Sequence, residues 1–165
     1  MIGMKIGIKV PEKKLPILLK ERDEIENLTH TKIEIGNEVI IDGETLDIMI
    51  AENIIKAIAR GFKPEDAFML LDETVTLCII PLTGSEKKMK RIKARIIGSN
   101  GSAKKRLEEM TNTKISVYGK TISIIGSPNN VFLCRMAIEK FITGSSHRYV
   151  YKFLENMIRK KLFSW

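Results

Sequence analysis

A nine-residue pattern occurs twice in this chain at a fixed spacing. Ile25-Glu26-Asn27-Leu28-Thr29-His30-Thr31-Lys32-Ile33 is matched by Leu107-Glu108-Glu109-Met110-Thr111-Asn112-Thr113-Lys114-Ile115, an offset of 82 residues from position 25 to position 107. In a chain of 165 residues that period leaves room for two copies and a short tail. A charged, helix-compatible segment precedes each match. A β-rich stretch follows it, Glu34 to Ile41 in the first copy and Ser116 to Ile125 in the second. Two similar α+β units are therefore expected. Their boundary is expected in residues 72–76, after a Pro64–Asp72 segment that reads as a short connecting helix with proline near its start.

The period of the apolar residues places the elements. Met4, Ile6, Ile8 and Val10 alternate with polar or small residues, the signature of a half-buried strand, and Val75 to Leu82 is read as the matching strand of the second copy. Lys87 to Arg95 is expected to be a basic helix. Ser102 to Thr111 is expected to be another, because Ala103, Leu107 and Met110 form one apolar stripe while Lys104 with Glu108 and Lys105 with Glu109 stand in supporting i, i+4 pairs. Ile115 and Val117, then Ile122 and Ile124, suggest two short strands joined at Tyr118-Gly119-Lys120. Asn129 to Thr143 reads as a helix opened by Ser127-Pro128 and closed by Gly144. The second copy is thus read as β-α-loop-α-β-β-α. The first is read the same way, ending in a helix from Leu46 to Arg60. From Val150 to Leu162 the apolar residues keep helical spacing among Arg148, Lys152, Arg159, Lys160 and Lys161. This amphipathic tail is expected to pack on the second repeat; the alternative is a helix offered to RNA or to a partner protein.

Charge separates the two copies. The chain carries a formal net charge of +8, but residues 1–85 hold 10 Lys and Arg against 15 Asp and Glu, while residues 86–165 hold 18 against 5. The first half is therefore acidic by five charges and the second basic by thirteen, which directs any search for an anionic ligand to the second. There the two helices meet at Gly98-Ser99-Asn100-Gly101, following the apolar pair Ile96-Ile97. Glycine at both ends lets the backbone turn sharply and removes the Cβ atoms that would hold a sugar-phosphate chain away, while the next helix presents its positive dipole end to phosphates.

A GxxG turn between helices in the order β-α-GxxG-α-β-β-α resembles the type I KH domain, over about Val75 to Thr143. The resemblance implies single-stranded RNA binding, with the loop gripping about four nucleotides and the bases lying over an apolar groove. It makes Gly98, Ser99, Asn100 and Gly101 the loop contacts and Lys104, Lys105 and Arg106 phosphate contacts. Ile96, Ile97 and Leu107 become candidates for the groove or the core beneath it, and Lys93, Arg95 and Lys120 further RNA-binding candidates. Two departures stand out: Ser99 and Asn100 are neutral where such loops usually carry a basic residue, and Lys104 stands where an apolar one is usual. The flank of Lys87, Lys88, Lys90, Arg91, Lys93 and Arg95 offers sequence-independent attraction in compensation. At the same offset the first copy has Pro16-Ile17-Leu18-Leu19, without glycine, and is expected not to bind RNA in the usual mode. The fold expected overall is α+β. It comprises two tandem type I KH-like domains, β-α-α-β-β-α each, at 1–73 (degenerate) and 74–144, plus a C-terminal helix at 145–165.

Further segments narrow the resemblance. Gly61-Phe62-Lys63-Pro64-Glu65-Asp66-Ala67, Leu70-Leu71-Asp72-Glu73, Arg91 to Gly98, Ile115 to Thr121 and the tail His147 to Glu155 are similar to an archaeal KH protein related to the eukaryotic small-subunit assembly factor known as the partner of the Nob endonuclease. That resemblance implies binding near the 3′ end of 16S rRNA, a role in late pre-rRNA maturation, and contact with the Nob endonuclease and the α subunit of translation initiation factor two. It implies no catalysis and no cofactor.

The residues add their own exclusions. His30 and His147 belong to no catalytic or metal-ligand pattern and are expected in surface or capping roles. Cys78 and Cys134 form no CxxC pair and are expected as buried, reduced thiols. With no apolar run of about 20 residues the chain is expected to be soluble and cytoplasmic, without a membrane anchor. Two other roles fit the same residues: a protein-interaction adaptor working through the acidic half, and an accessory RNA-binding subunit of a decay complex.

Overall fold

The structure is a computed structural model that describes residues 3–163, with side chains to Lys160. Lys161 and Leu162 of the expected tail pattern lie outside the described side chains. The chain divides into two compact units, residues 1–77 and 78–165.

The first unit runs β1 (Met4–Ile8), α1 (Leu15–Thr29), β2 (Lys32–Ile35), β3 (Val39–Gly43), α2 (Thr45–Ala59), α3 (Pro64–Ala67) and a 3-10 turn at Phe68–Leu71. Its sheet has the order β1-β3-β2, with β3 antiparallel to both neighbours so that Ile41 pairs with Ile6 on one side and Ile33 on the other. Helices α1 and α2 pack beside each other against it. Leu18, Ile25, Ile33, Ile41 and Ile48 are buried. Past the 3-10 turn, the exposed Asp72 carboxylate accepts from the Thr74 N–H and hydroxyl at 2.8 and 2.7 Å, and those bonds hold its pKa below the ordinary carboxylate value.

This order corrects one expectation. Between β1 and β2 there is a single unbroken helix, so the first unit reads β-α-β-β-α and not β-α-α-β-β-α. The repeat explains why. Offset by 82, β1 would fall at residues 86–90, which open a helix of the second unit (Glu86–Ile97), so the equivalence holds only from α1 onward. The six residues between Ile8 and Leu15 hold only a single 3-10 turn, Glu12–Lys14, that runs straight into α1, with no second α-helix and no loop between helices. Pro16 then sits in the first turn of α1, where its missing N–H costs nothing, and the Pro16–Leu19 segment continues as helix.

The second unit runs β4 (Thr76–Pro81), α4 (Glu86–Ile97), α5 (Ser102–Thr111), β5 (Lys114–Tyr118), β6 (Thr121–Gly126), α6 (Pro128–Ile142) and α7 (His147–Phe163). Its sheet order is β4-β6-β5. The hairpin β5–β6 closes with Tyr118 opposite Thr121 around a two-residue turn in which Gly119 takes φ +55°. Met89, Ile92, Ile96, Leu107, Ile115, Ile122, Ile124, Cys134, Ile138 and Phe141 form one core, joined by Val150 and Leu154 from α7. The tail helix thus packs its apolar face on this unit. No described helix is long and apolar enough to cross a membrane.

Where the repeat holds, it holds bond for bond. Glu26 and Glu108 each accept, through Oε2, the N–H of the first core residue of the next strand, Ile33 at 2.7 Å and Ile115 at 2.8 Å. Thr29 and Thr111 donate back to the carbonyls of Ile25 and Leu107, both at 2.6 Å, and lie 2.7 and 2.8 Å from the hydroxyls of Thr31 and Thr113. Since each donating hydroxyl has one proton, Thr31 and Thr113 must donate to them. His30 and Asn112 take the left-handed C-cap conformation that ends each helix. Gly43 and Gly126 come so close to the Thr31 and Thr113 methyls that an added Cβ would lie 3.1 and 3.0 Å away.

Burial pushes the Cys134 thiol up to about 11, so it is neutral at physiological pH. Cys78 departs from its expected burial. It is half exposed, with Arg135 Nη1 3.8 Å from its sulfur. Replacing Thr111 by valine should cost about 1 to 2 kcal/mol, because it strips a buried hydroxyl pair of its acceptor and leaves Thr113 unpaired. Urea unfolding checks this, and an unchanged midpoint would contradict the account of the helix end.

Candidate nucleic-acid interface

Ser85 opens α4 as a true N-cap, its hydroxyl accepting from the Lys88 N–H at 3.1 Å. The helix then carries Lys87, Lys88, Lys90 and Arg91 outward, while Met89, Ile92 and Ile96 face the core. It ends where Gly98 turns the backbone to φ +75°, its N–H still bonded to the Ala94 carbonyl at 2.9 Å. Asn100 (φ +55°) and Gly101 (φ +76°) stay in the left-handed region, one that asparagine tolerates better than most residues. The turn closes with the Gly101 N–H on the Gly98 carbonyl at 3.3 Å and the Ser102 N–H on Ser99. No side chain caps the start of α5, and Ser99, Asn100 and Ser102 are exposed around it. The positive end of the helix dipole therefore faces solvent beside a turn of small residues.

The two glycines serve different ends. A Cβ on Gly98 would lie 2.6 Å from the Ala103 Cβ and 2.8 Å from its nitrogen, so Gly98 is what lets α4 and α5 cross closely. A Cβ on Gly101 would meet nothing within 4 Å; the space over it is open. Only the second glycine leaves room for a ligand.

Around the loop, Lys105, Arg106 and Lys120 are exposed. Lys104 is half-buried and pairs with Glu108 at 3.6 Å, as its spacing predicts. Lys93 donates to the Gly119 carbonyl at 2.9 Å, tying the hairpin turn to α4. Arg95 donates through Nη2 to the Ser145 carbonyl.

The family described as eukaryotic-type KH-domain (KH-domain type I), specifically the second KH domain of PNO1, matches residues 73–159. A crystal structure of the a/eIF2alpha–aDim2p–rRNA complex from Pyrococcus horikoshii OT3 contains a chain that is 35% identical to this one. It covers 97% of both chains with a TM-score of 0.90. The chain belongs to the PNO1/Dim2 family of KH-domain proteins. RNA-binding protein pno-1 of Caenorhabditis elegans is 31% identical over 137 residues, which make up 79% of this chain and 49% of that one. Pre-rRNA-processing protein PNO1 of Chaetomium thermophilum is 23% identical over 92% of this chain and 58% of its own. This PNO1/Dim2-family chain thus spans about half the length of those two eukaryotic relatives.

Within that family frame, the candidate residues separate into groups. Gly98, Ser99, Asn100, Gly101, Lys105, Arg106 and Lys120 are accessible from solvent, and Ile97 is the exposed apolar residue beside the turn. Ile96 does not line the surface. It is fully buried, like Leu107, because α4 turns that face toward the sheet, and both support the loop from beneath. Lys93, Arg95 and Lys104 are engaged inside the unit, the first two holding backbone carbonyls and the third the Glu108 carboxylate, as well as carrying charge.

Two residues escaped sequence reading. His147 is not a surface group: its Nε2 lies 2.8 Å from the Arg95 carbonyl and its ring 5.1 Å from that of Phe141. With Arg95 reaching back to Ser145, the start of α7 is bound at two points to the last turn before the loop. Tyr151 lies one turn further, under the Arg106 guanidinium at 4.0 Å. Burial raises its phenol pKa against the opposing pull of Arg106, so it remains neutral. Both contacts span more than 40 residues, beyond the reach of any local pattern. Gly98→Ala should destabilise the second unit by about 3 kcal/mol or more, from left-handed strain and overlap together. Gly101→Ala should cost about 1 to 2 kcal/mol from strain alone. Thermal unfolding of the two variants checks the order, and equal losses would contradict the division of roles.

Proposed function

We propose that this chain binds single-stranded RNA at the 3′ region of 16S rRNA during small-subunit assembly and pre-rRNA maturation, using the second unit as its KH domain. The observation that carries this reading is the open, left-handed turn at Asn100 and Gly101, set at an uncapped helix start in the half of the chain that is basic by thirteen charges. Phosphates pass over Gly101, where no side chain intrudes, and meet the positive end of α5. Lys105, Arg106, Lys120 and the outer lysines of α4 supply attraction that does not depend on sequence. Bases lie over the ledge beside Ile97, where their edges are read.

Family membership supports the reading, as do the rRNA and a/eIF2alpha in the complex of the aDim2p relative. The α subunit of translation initiation factor two is accordingly a proposed partner, and the Nob endonuclease another. The role is non-catalytic. Residues 1–73 form a degenerate KH-like domain whose unbroken α1 replaces the glycine turn, residues 74–144 the binding domain, and residues 145–165 a C-terminal segment whose helix, His147–Phe163, is seated on it. The protein works in the cytoplasm.

Fluorescence anisotropy with the 16S rRNA 3′ strand and scrambled strands, at two salt concentrations, tests this. Strong preference for the rRNA strand is expected; weak binding that vanishes with salt would favour an adaptor role. Ser99→Asp with Asn100→Asp should weaken binding about tenfold or more at an unchanged melting temperature, because two carboxylates would face the phosphates. Leu19→Asp, at an exposed position of α1, should leave the affinity as it is. Loss of binding in that variant with folding intact would overturn the assignment of the site to the second unit.

A further inference from the structure

The loop does not end the basic surface of the second unit. Against it lies a cleft of about 330 Å³ bounded by Ser99, Ser102, Arg106, His147 and Tyr151. A second cleft, of about 470 Å³, is lined by Arg106, Arg148, Tyr151, Lys152 and Glu155. The two share Arg106 and Tyr151, so a continuous path leads from the GxxG turn across that stacked pair and along α7. Arg148 and Lys152 are one turn apart and both exposed. Three cations face one carboxylate in the outer cleft, which favours an anionic occupant.

The path is also fixed in place. Val150 and Leu154 are buried in the core, which turns the opposite side of α7 outward. His147 and Arg95 tie the start of the helix to the turn just before the loop, so the two parts of the path keep their spacing. A mobile tail would lose its ordering entropy on each encounter; a docked one does not.

We propose that the nucleic-acid site continues along α7: beyond the nucleotides held by the loop, the RNA backbone crosses the Arg106–Tyr151 pair and its next phosphates are taken by Arg148 and Lys152. This rests on the assignment of the loop as the RNA site. The occupant is a continuation of the same strand, since the outer cleft shares Arg106 and Tyr151 with the inner one and has the sign of charge that a phosphate chain requires. Tyr151, partly covered by Arg106, adds a flat surface of the kind that guides a single strand without reading its sequence.

Strand length separates the two parts of the site. With the full chain carrying Arg148→Ala and Lys152→Ala, binding of a single strand of about ten nucleotides should weaken about tenfold, and the dependence of log affinity on log salt should become shallower by roughly 1 to 1.5, the loss of two phosphate contacts. Binding of a strand of about four nucleotides, which the loop alone can hold, should not change. Both side chains are exposed, so the melting temperature should stay that of the parent. Unchanged binding of the long strand would overturn the proposal. So would equal weakening of both strands, which would make the two cations a general field and not a subsite. If the Ser99→Asp, Asn100→Asp pair leaves the short strand bound as before, the loop assignment itself fails and the extension falls with it.

Discussion

In each half of the chain a glutamate one turn before the end of a helix accepts the N–H of the strand that follows, and a pair of threonines closes the same corner from the other side. These bonds join a helix to a hairpin at a fixed angle, in a place where an unpaired backbone donor would be costly. Everything after the corner inherits that angle: the strand register, the glycine pressed on the second threonine and the returning helix. The nine residues of the repeat are the residues of this corner, which explains why they are legible as a repeat at all. Glu108 also has a second duty. One of its oxygens holds the β5 backbone and the other faces Lys104, so the corner of the second unit is coupled to the helix that begins at the loop.

The two units diverge upstream of the corner, and function diverges with them. The first enters α1 directly from a short connection, and Leu18 is buried where the second unit has the exposed Asn100. In the second unit an additional helix precedes the equivalent of α1, and the two can meet closely only because Gly98 lacks a Cβ against Ala103. That crossing leaves the start of α5 without a side-chain cap and brings the basic outer face of α4 beside it. Charge alone would not select this place, since Lys93 and Arg95 of the flank are spent on carbonyls within the unit and Lys104 on a carboxylate.

Much of this was legible in the sequence, for local reasons. The bounds of α5 follow from the Ala103, Leu107 and Met110 stripe, those of α6 from Pro128 and Gly144, and the hairpin from Gly119. Long-range contacts were not legible. Arg95 read as a phosphate contact and His147 as a surface or capping residue, yet each meets a partner about 50 residues away, and those two bonds seat α7 beside the loop. Ile96 and Ile97 are neighbours of the same type, and only the rotation of α4 decides that one is core and the other surface. The missing helix of the first unit was hidden for a different reason: a repeat offset says where two copies agree and nothing about where the agreement begins.

The central claim is that RNA is held at the turn from Gly98 to Gly101 and not at the corresponding part of the first unit. Backbone amide resonances of the isotopically labelled chain, followed while a short single strand of the small-subunit rRNA 3′ end is titrated in, test it most directly. The account predicts saturable shifts at Gly98, Ser99, Asn100, Gly101 and Ser102, with Ile17, Leu18 and Leu19 unmoved. Saturable shifts at Ile17 to Leu19 with a silent glycine turn would contradict it.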